Sequence, residues 1–253
     1  MSGGLVALST REIHRVLKLW TQTVVAPVLS SFLFILVFGV SLGGRISAVG
    51  GVQYEVFIVP GLITMAMVQA AYMNNSSSVF QARFDHYLND VLASPMRWWE
   101  INLALSLGGA VRALMIGAGL LALAVPVTGV PVREPLVLLM ALVLLMALFS
   151  ALGVVVGVYA DSWDQAGFVS NIVILPLSFL GGVFYAVDES LGSPWEQLSH
   201  LNPIFYLVQA VRFGFLGTSD VSVVLALAVV AAMAAVVVAW SAWLFATGRR
   251  LKP

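Results

Sequence analysis

The sequence predicts an all-α membrane protein of six transmembrane helices, and three observations carry that prediction. Hydrophobic residues make up 60% of the 253-residue chain and charged residues only 9%, against about 25% charged in an ordinary soluble domain. Six uncharged stretches are each long enough to cross a bilayer core, which takes about 20 apolar residues in a helix. The few charges gather in the connectors between those stretches.

The six stretches run over 19–44, 56–82, 113–132, 135–160, 165–187 and 221–248, within one transmembrane domain covering 1–253. The third is drawn to begin after Arg112, although its apolar character reaches back to Leu103. The run after Lys18 exceeds the roughly 7–15 apolar residues of a signal peptide and reads as a retained span. With six spans both termini share one side. That side holds Arg11, Arg15, Lys18, Arg83, Arg97, Arg249, Arg250 and Lys252, against Arg45, Arg133 and Arg212 on the other. Lys and Arg concentrate in cytoplasmic loops, so both termini are expected in the cytoplasm of a multi-pass inner (plasma) membrane protein.

The first element, over 5–20, is an amphipathic helix. Ile13, Val16, Leu17 and Trp20 repeat at helical spacing, as do Arg11, His14, Arg15 and Lys18 on the other face. Ser9 and Glu12 have the spacing of a capping box that would start the helix. Such a helix is expected to lie in the headgroup plane, either as a topology anchor or as a surface for a cytosolic partner. Between the second and third spans, the loop 80–102 carries Arg83, Asp85, His86, Asn89, Asp90, Arg97 and Glu100. Ser94 and Pro95 suit a helix start there, and Trp98 and Trp99 suit the membrane interface. On the opposite side, 188–220 holds Ser193, Pro194 and Glu196 as a second capping box and Asn202 with Pro203 as another helix start. Two short helices rich in Trp195, Phe205 and Tyr206 follow, too short to span and expected as a re-entrant external lid. Pro176 and Gly181–Gly182 should bend or break the fifth span near its outer half.

Candidate chemistry is sparse. Neither Lys18 nor Lys252 has the flanking Gly and Ser or Thr of a phosphate-binding loop. No nucleotide or other cofactor is therefore expected on this chain. Gly39, Ser41 and Gly43 form a G-x-S-x-G string, but at the outer end of a span rather than on a strand-to-helix turn. An intramembrane enzyme using Ser41 and His200 is the reading to be weighed against packing by small residues. Gly153 and Gly157 have the same small-x-x-x-small spacing. His14, His86 and His200 fall in separate segments, giving no metal-ligand spacing, and without cysteine no disulfide or thiolate chemistry is open. Balanced charge, 12 basic against 12 acidic residues, points to no nucleic acid. Polar residues inside spans either bond between helices or line a path; Gln69, Asn74, Asn75, Arg112 and Asn171 are the candidates. No span contains Asp or Glu, which weighs against an ion-coupled secondary transporter and leaves an external energy source.

Several strings in this order resemble the type-2 ABC exporter permeases of bacteria, specifically the YadH-like branch. They are Glu12-Ile13-His14-Arg15, Phe57 to Leu62 (FIVPGL), Leu180 to Tyr185 (LGGVFY), and Leu198 to Ile204 (LSHLNPI) with Arg212, Gly214, Phe215, Leu216 and Gly217. The resemblance implies a six-helix subunit with an interface helix, a coupling helix between spans two and three, and re-entrant helices before span six. It implies a homodimer served by two separate ATPase subunits, which use ATP and magnesium and dock on the cytoplasmic face. On that model Arg11, Glu12, Arg15, Lys18, Asp85, Asp90 and Arg97 receive the ATPase stroke. Trp195, Asn202, Pro203, Phe205, Tyr206 and Arg212 form the external lid. A lipid, glycan-linked or amphipathic drug-like cargo then leaves the cytoplasm or inner leaflet by alternating access.

Overall fold

In lipid an unbroken helix satisfies every backbone group of a long uncharged run. Helices make up nearly all the regular structure of the computed structural model, which describes residues 3–40, 48–187 and 192–251. Among those residues the one strand-like pairing is an isolated bridge between Val49 and Val52. Helix α1 spans Gly3–Lys18, and α2 spans Thr21–Gly39 with π-helical turns at both ends. Helices α3 (Tyr54–Phe84) and α5 (Trp98–Thr128), of 31 residues each, flank the short α4 (Tyr87–Ala93). Next come α6 (Pro135–Tyr159) and the composite α7, residues 163–180, whose middle, Val169–Ile174, is π-helical. Short α8 (Trp195–His200) and α9 (Pro203–Leu216) precede α10 (Val223–Thr247).

Five of these, α2, α3, α5, α6 and α10, are long and apolar enough to cross a membrane. The stretch expected as the fifth of six spans is the composite α7, which is shorter and carries Asp164, Gln165, Ser170 and Asn171. It still follows α3 from end to end. Trp163 packs edge-on against Phe80 at 4.8 Å, and just beyond α7 the Val183 backbone abuts Gly61. Phe80 and Gly61 are about 28 Å apart along α3, close to the thickness of a bilayer core. Leu5 and Leu8 share one apolar cluster with Leu244, Phe245 and Leu251, so both described ends of the chain lie at one end of the bundle.

Helix α3 is the axis, buried on almost every side from Tyr54 to Ala82. Lipid tails give helices no hydrophobic reason to associate, so close van der Waals approach must supply it. Glycines permit that approach: a Cβ on Gly109 would lie 2.6 Å from the Ala71 carbonyl oxygen, and one on Gly157 2.8 Å from that of Ser76. Gly153 sits equally tightly against the Tyr72 backbone. Gly153 and Gly157 therefore serve close packing, as their spacing suggested; Ser41 and Gly43 lie outside the described residues.

Four expected boundaries move. The amphipathic helix begins at Gly3, because Leu5 and Leu8 extend its buried stripe; Ser9 lies inside it, and its Oγ has no hydrogen-bond partner among the described residues. The third span begins at Trp98, with Arg112 inside it. Ser94 closes α4 instead of opening the next helix: Pro95 holds it extended at ψ 158°, and its Oγ donates to the Val91 carbonyl at 2.6 Å. Glu100 opens α5, its Oε2 accepting from the Arg97 N–H at 2.9 Å. The box expected at Ser193 is replaced by the Gly192 carbonyl, which accepts from the N–H groups of Trp195 and Glu196. Asn202 does cap α9, its Oδ1 accepting from the Ile204 N–H at 2.9 Å.

Candidate functional site

The N-terminal end of the bundle is built around a buried carboxylate. Helix α1 crosses α5 in the same direction, Gly4 meeting Met96 and Glu12 meeting Gly108. Its buried stripe is Leu5, Leu8, Glu12 and Val16. Leu17 and Trp20, on the apolar face, are exposed, and Glu12 is fully buried. Gly108 makes the room: a Cβ there would lie 3.1 Å from that of Glu12. The carboxylate accepts from Ser78 Oγ at 2.7 Å and pairs with Arg11 at 2.9 Å and Arg15 at 3.4 Å. Burial pulls the Arg15 guanidinium below its ordinary pKa, an effect Glu12 opposes.

From this carboxylate the polar contacts run inward. Arg15 donates to the Asn74 carbonyl at 3.0 Å, and Asn74 Nδ2 to Asn75 Oδ1 at 3.1 Å. Asn75 Nδ2 in turn reaches the carbonyls of Ser106 and Ser150, at 3.3 and 3.0 Å. One connected network thus joins α1, α3, α5 and α6, and Asn74 and Asn75 are bonds between helices. A buried network of this kind is costly only when a member loses its partner. Its sequence signal was the run of five polar residues, Asn74 to Ser78, inside an otherwise apolar span.

Outside this network lies a charged surface. Arg11 stacks over the Tyr87 ring at 3.9 Å, which joins α1 to α4. Leu88 and Val91 anchor α4 in the apolar cluster that contains Leu5 and Leu8. Asp85, His86, Asp90 and Arg97 are exposed around it, and so are Arg11 and Lys18. His86 takes a left-handed conformation, φ 58°, as the chain turns from α3 into α4. The expected set Arg11, Glu12, Arg15, Lys18, Asp85, Asp90 and Arg97 therefore divides in two. Glu12 and Arg15 tie the helices together; the remaining five face outward.

The opposite end is closed by side chains bonded to the chain itself. Arg212 is buried, donates to the Gly182 carbonyl at 2.6 Å and lies 4.0 Å over the Phe57 ring. Asn202 Nδ2 donates to the Leu177 carbonyl, Ser199 Oγ to that of Leu180 at 3.0 Å, and Tyr206 to that of His200 at 2.8 Å. Gln209 and Asp220 pair through side chain and backbone. Phe205 is fully buried, whereas Trp195 is exposed. Gly181 ends α7, as the glycine pair suggested; a Cβ there would lie 3.2 Å from the Phe205 nitrogen, and Gly182 takes φ +74°.

Between α2, α3 and α5 lies a cleft of about 230 Å³ lined by Ser30, Ser31, Gln69 and Arg112 among apolar side chains. Asn171, the last polar candidate, is exposed on the π-helical part of α7.

Five helices long and apolar enough to cross a membrane, with a charged helical surface at one end of their bundle, define the class as a multi-helix membrane protein. The family model for the ABC-2 type transporter matches residues 4–216, and the chain belongs to that family. It is 38% identical over 250 residues to the inner membrane transport permease YadH of Escherichia coli K12, covering 98% of this chain and 96% of YadH. The YadH of Shigella flexneri matches equally. Nodulation protein J of Rhizobium leguminosarum bv. trifolii is 26% identical over 209 residues, 81% of this chain and 79% of that protein. The chain is thus a multi-pass membrane protein of a transporter family rather than an enzyme.

Proposed function

We propose that this chain is the membrane-spanning permease subunit of an ATP-driven exporter in the inner membrane, working as a homodimer with two separate ATPase subunits. The whole chain acts as one permease domain. Its five long helices and the composite α7 make six crossings, and both termini face the cytoplasm. The observation that carries this reading is the joining of α1 and α4 into one surface whose exposed charges Lys18, Asp85, Asp90 and Arg97 form no ion pair among the described residues, while Arg11 on the same surface reaches back to Glu12. A docked ATPase pair would press on that surface, and the Glu12 network would pass the displacement to α3, α5 and α6. ATP and magnesium belong to the partner. Transport is then a population shift between inward-open and outward-open states, set by which state the nucleotide-bound partner prefers. The α8–α9 region, with Arg212 and Asn202, would be the external lid that opens last. The cargo class is lipid, glycan-linked or amphipathic.

The test is charge reversal on the surface. Arg97→Glu or Asp90→Lys should leave membrane insertion and ATPase binding measurable while cutting ATP-dependent transport by about ten-fold or more, the scale of one charged contact. Unchanged transport in both variants would contradict the role assigned to this surface.

A further inference from the structure

We infer that the cleft between α2, α3 and α5 binds the anionic head group of an amphiphile, with Arg112 as the residue that recognises its charge. The inference rests on the transport reading and narrows its cargo. Arg112 donates through Nε to the Thr23 carbonyl at 3.0 Å, and among the described residues it forms no ion pair. The packing sets its level: Gly109 and Gly117, on either side of Arg112 in α5, meet Ala71 and Met67 of α3, so Arg112 stands near the middle of the bundle although its Thr23 partner lies in the first turn of α2.

The neighbouring polar groups are also unspent. Ser30, Ser31 and Gln69 line the same cleft with Arg112, and among the described residues none of the three has a side-chain hydrogen bond. The rest of the wall, with Phe34 and Ile116, is apolar. An uncompensated guanidinium in such a site is costly unless an anion meets it. Charge complementarity therefore selects a phosphate or carboxylate, and the apolar wall selects a chain attached to it. The larger crevice between α5, α6 and α10, about 560 Å³, has no such character: it holds no charged side chain, and Asn102 there is spent on Ser241 at 2.7 Å.

The test measures lipid binding to the purified full-length permease in an uncharged detergent, by native mass spectrometry, without ATPase or nucleotide. Phosphatidylglycerol should bind about ten-fold more tightly than phosphatidylcholine, the scale of one charge-assisted hydrogen bond. Inorganic phosphate should compete weakly. Arg112→Gln should erase the preference and Arg112→Lys should keep part of it. Gln69→Leu, which leaves the Thr23 contact intact, should weaken phosphatidylglycerol binding several-fold. No preference in the wild type, or full preference in Arg112→Gln, would overturn the inference. So would loss of the dimer in Arg112→Gln with no wild-type lipid preference, because the guanidinium would then pair with a carboxylate of a second copy. Because no ATPase is present, failure here leaves the exporter reading standing, and failure of ATP-dependent transport leaves this binding measurable.

Discussion

The two ends of the bundle use their polar residues in opposite ways. At the far end Asn202, Ser199, Tyr206, Gln209 and Asp220 are bonded to the chain itself, and so is Nη2 of the buried Arg212, whose Nε and Nη1 have no hydrogen-bond partner among the described residues. At the N-terminal end only Glu12 and Arg15 turn inward, and Arg11, Lys18, Asp85, Asp90 and Arg97 remain on the surface. A surface that keeps its charges hydrated pays nothing for them until a partner arrives, whereas a buried polar group must be satisfied at folding. The contrast marks one end as a place of contact and the other as a closure.

The largest effect should come from breaking the link between the charged surface and the bundle. Glu12→Ala leaves Arg11 and Arg15 beside each other without their shared counter-ion and Ser78 without its acceptor; with both guanidiniums partly exposed, the cost should be about 1–3 kcal/mol, the range for a lost charged hydrogen-bond partner. Thermal unfolding of the purified permease should show that loss, and limited proteolysis should find α1 released. Glu12→Gln, which can still accept from Ser78, should cost less and so isolate the contribution of charge. A smaller effect is expected at the closed end. Asn202→Ala removes the cap of α9 and should cost about 1 kcal/mol, read as a lower unfolding midpoint with the N-terminal end unaffected. Least of all, Asp90→Lys should change stability by no more than about 0.5 kcal/mol, as exposed substitutions do. Stability losses of equal size at Asp90 and Glu12 would erase the distinction between surface and link.

Much of this architecture was legible in the sequence. Bilayer thickness sets a length that uncharged runs must match, so α3, α6 and α10 fall within a few residues of their expected bounds. Asn202–Pro203 and Gly181–Gly182 were readable because capping and chain termination are local events. Burial of Glu12 was not, because within α1 alone it reads as the capping-box partner of Ser9; its environment depends on Gly108, nearly a hundred positions away. Arg112 misled for a related reason. Taken as a charge that bounds a span, it instead sits inside a helix longer than the bilayer core, bonded to the start of α2. In the connector, Ser94–Pro95 carries signals compatible with either end of a helix, and the packing of Leu88 and Val91 decided the matter.

The chain contains no cysteine, so a single introduced thiol reports one position without ambiguity. Asp90→Cys, carrying a short bifunctional cross-linker in native membranes, tests the central claim most directly. The account predicts a covalent adduct with an ATPase subunit from position 90 and none from Ser219→Cys at the closed end. An adduct from position 219 alone, or ATP-driven transport at full rate with position 90 never within reach of an ATPase, would contradict it.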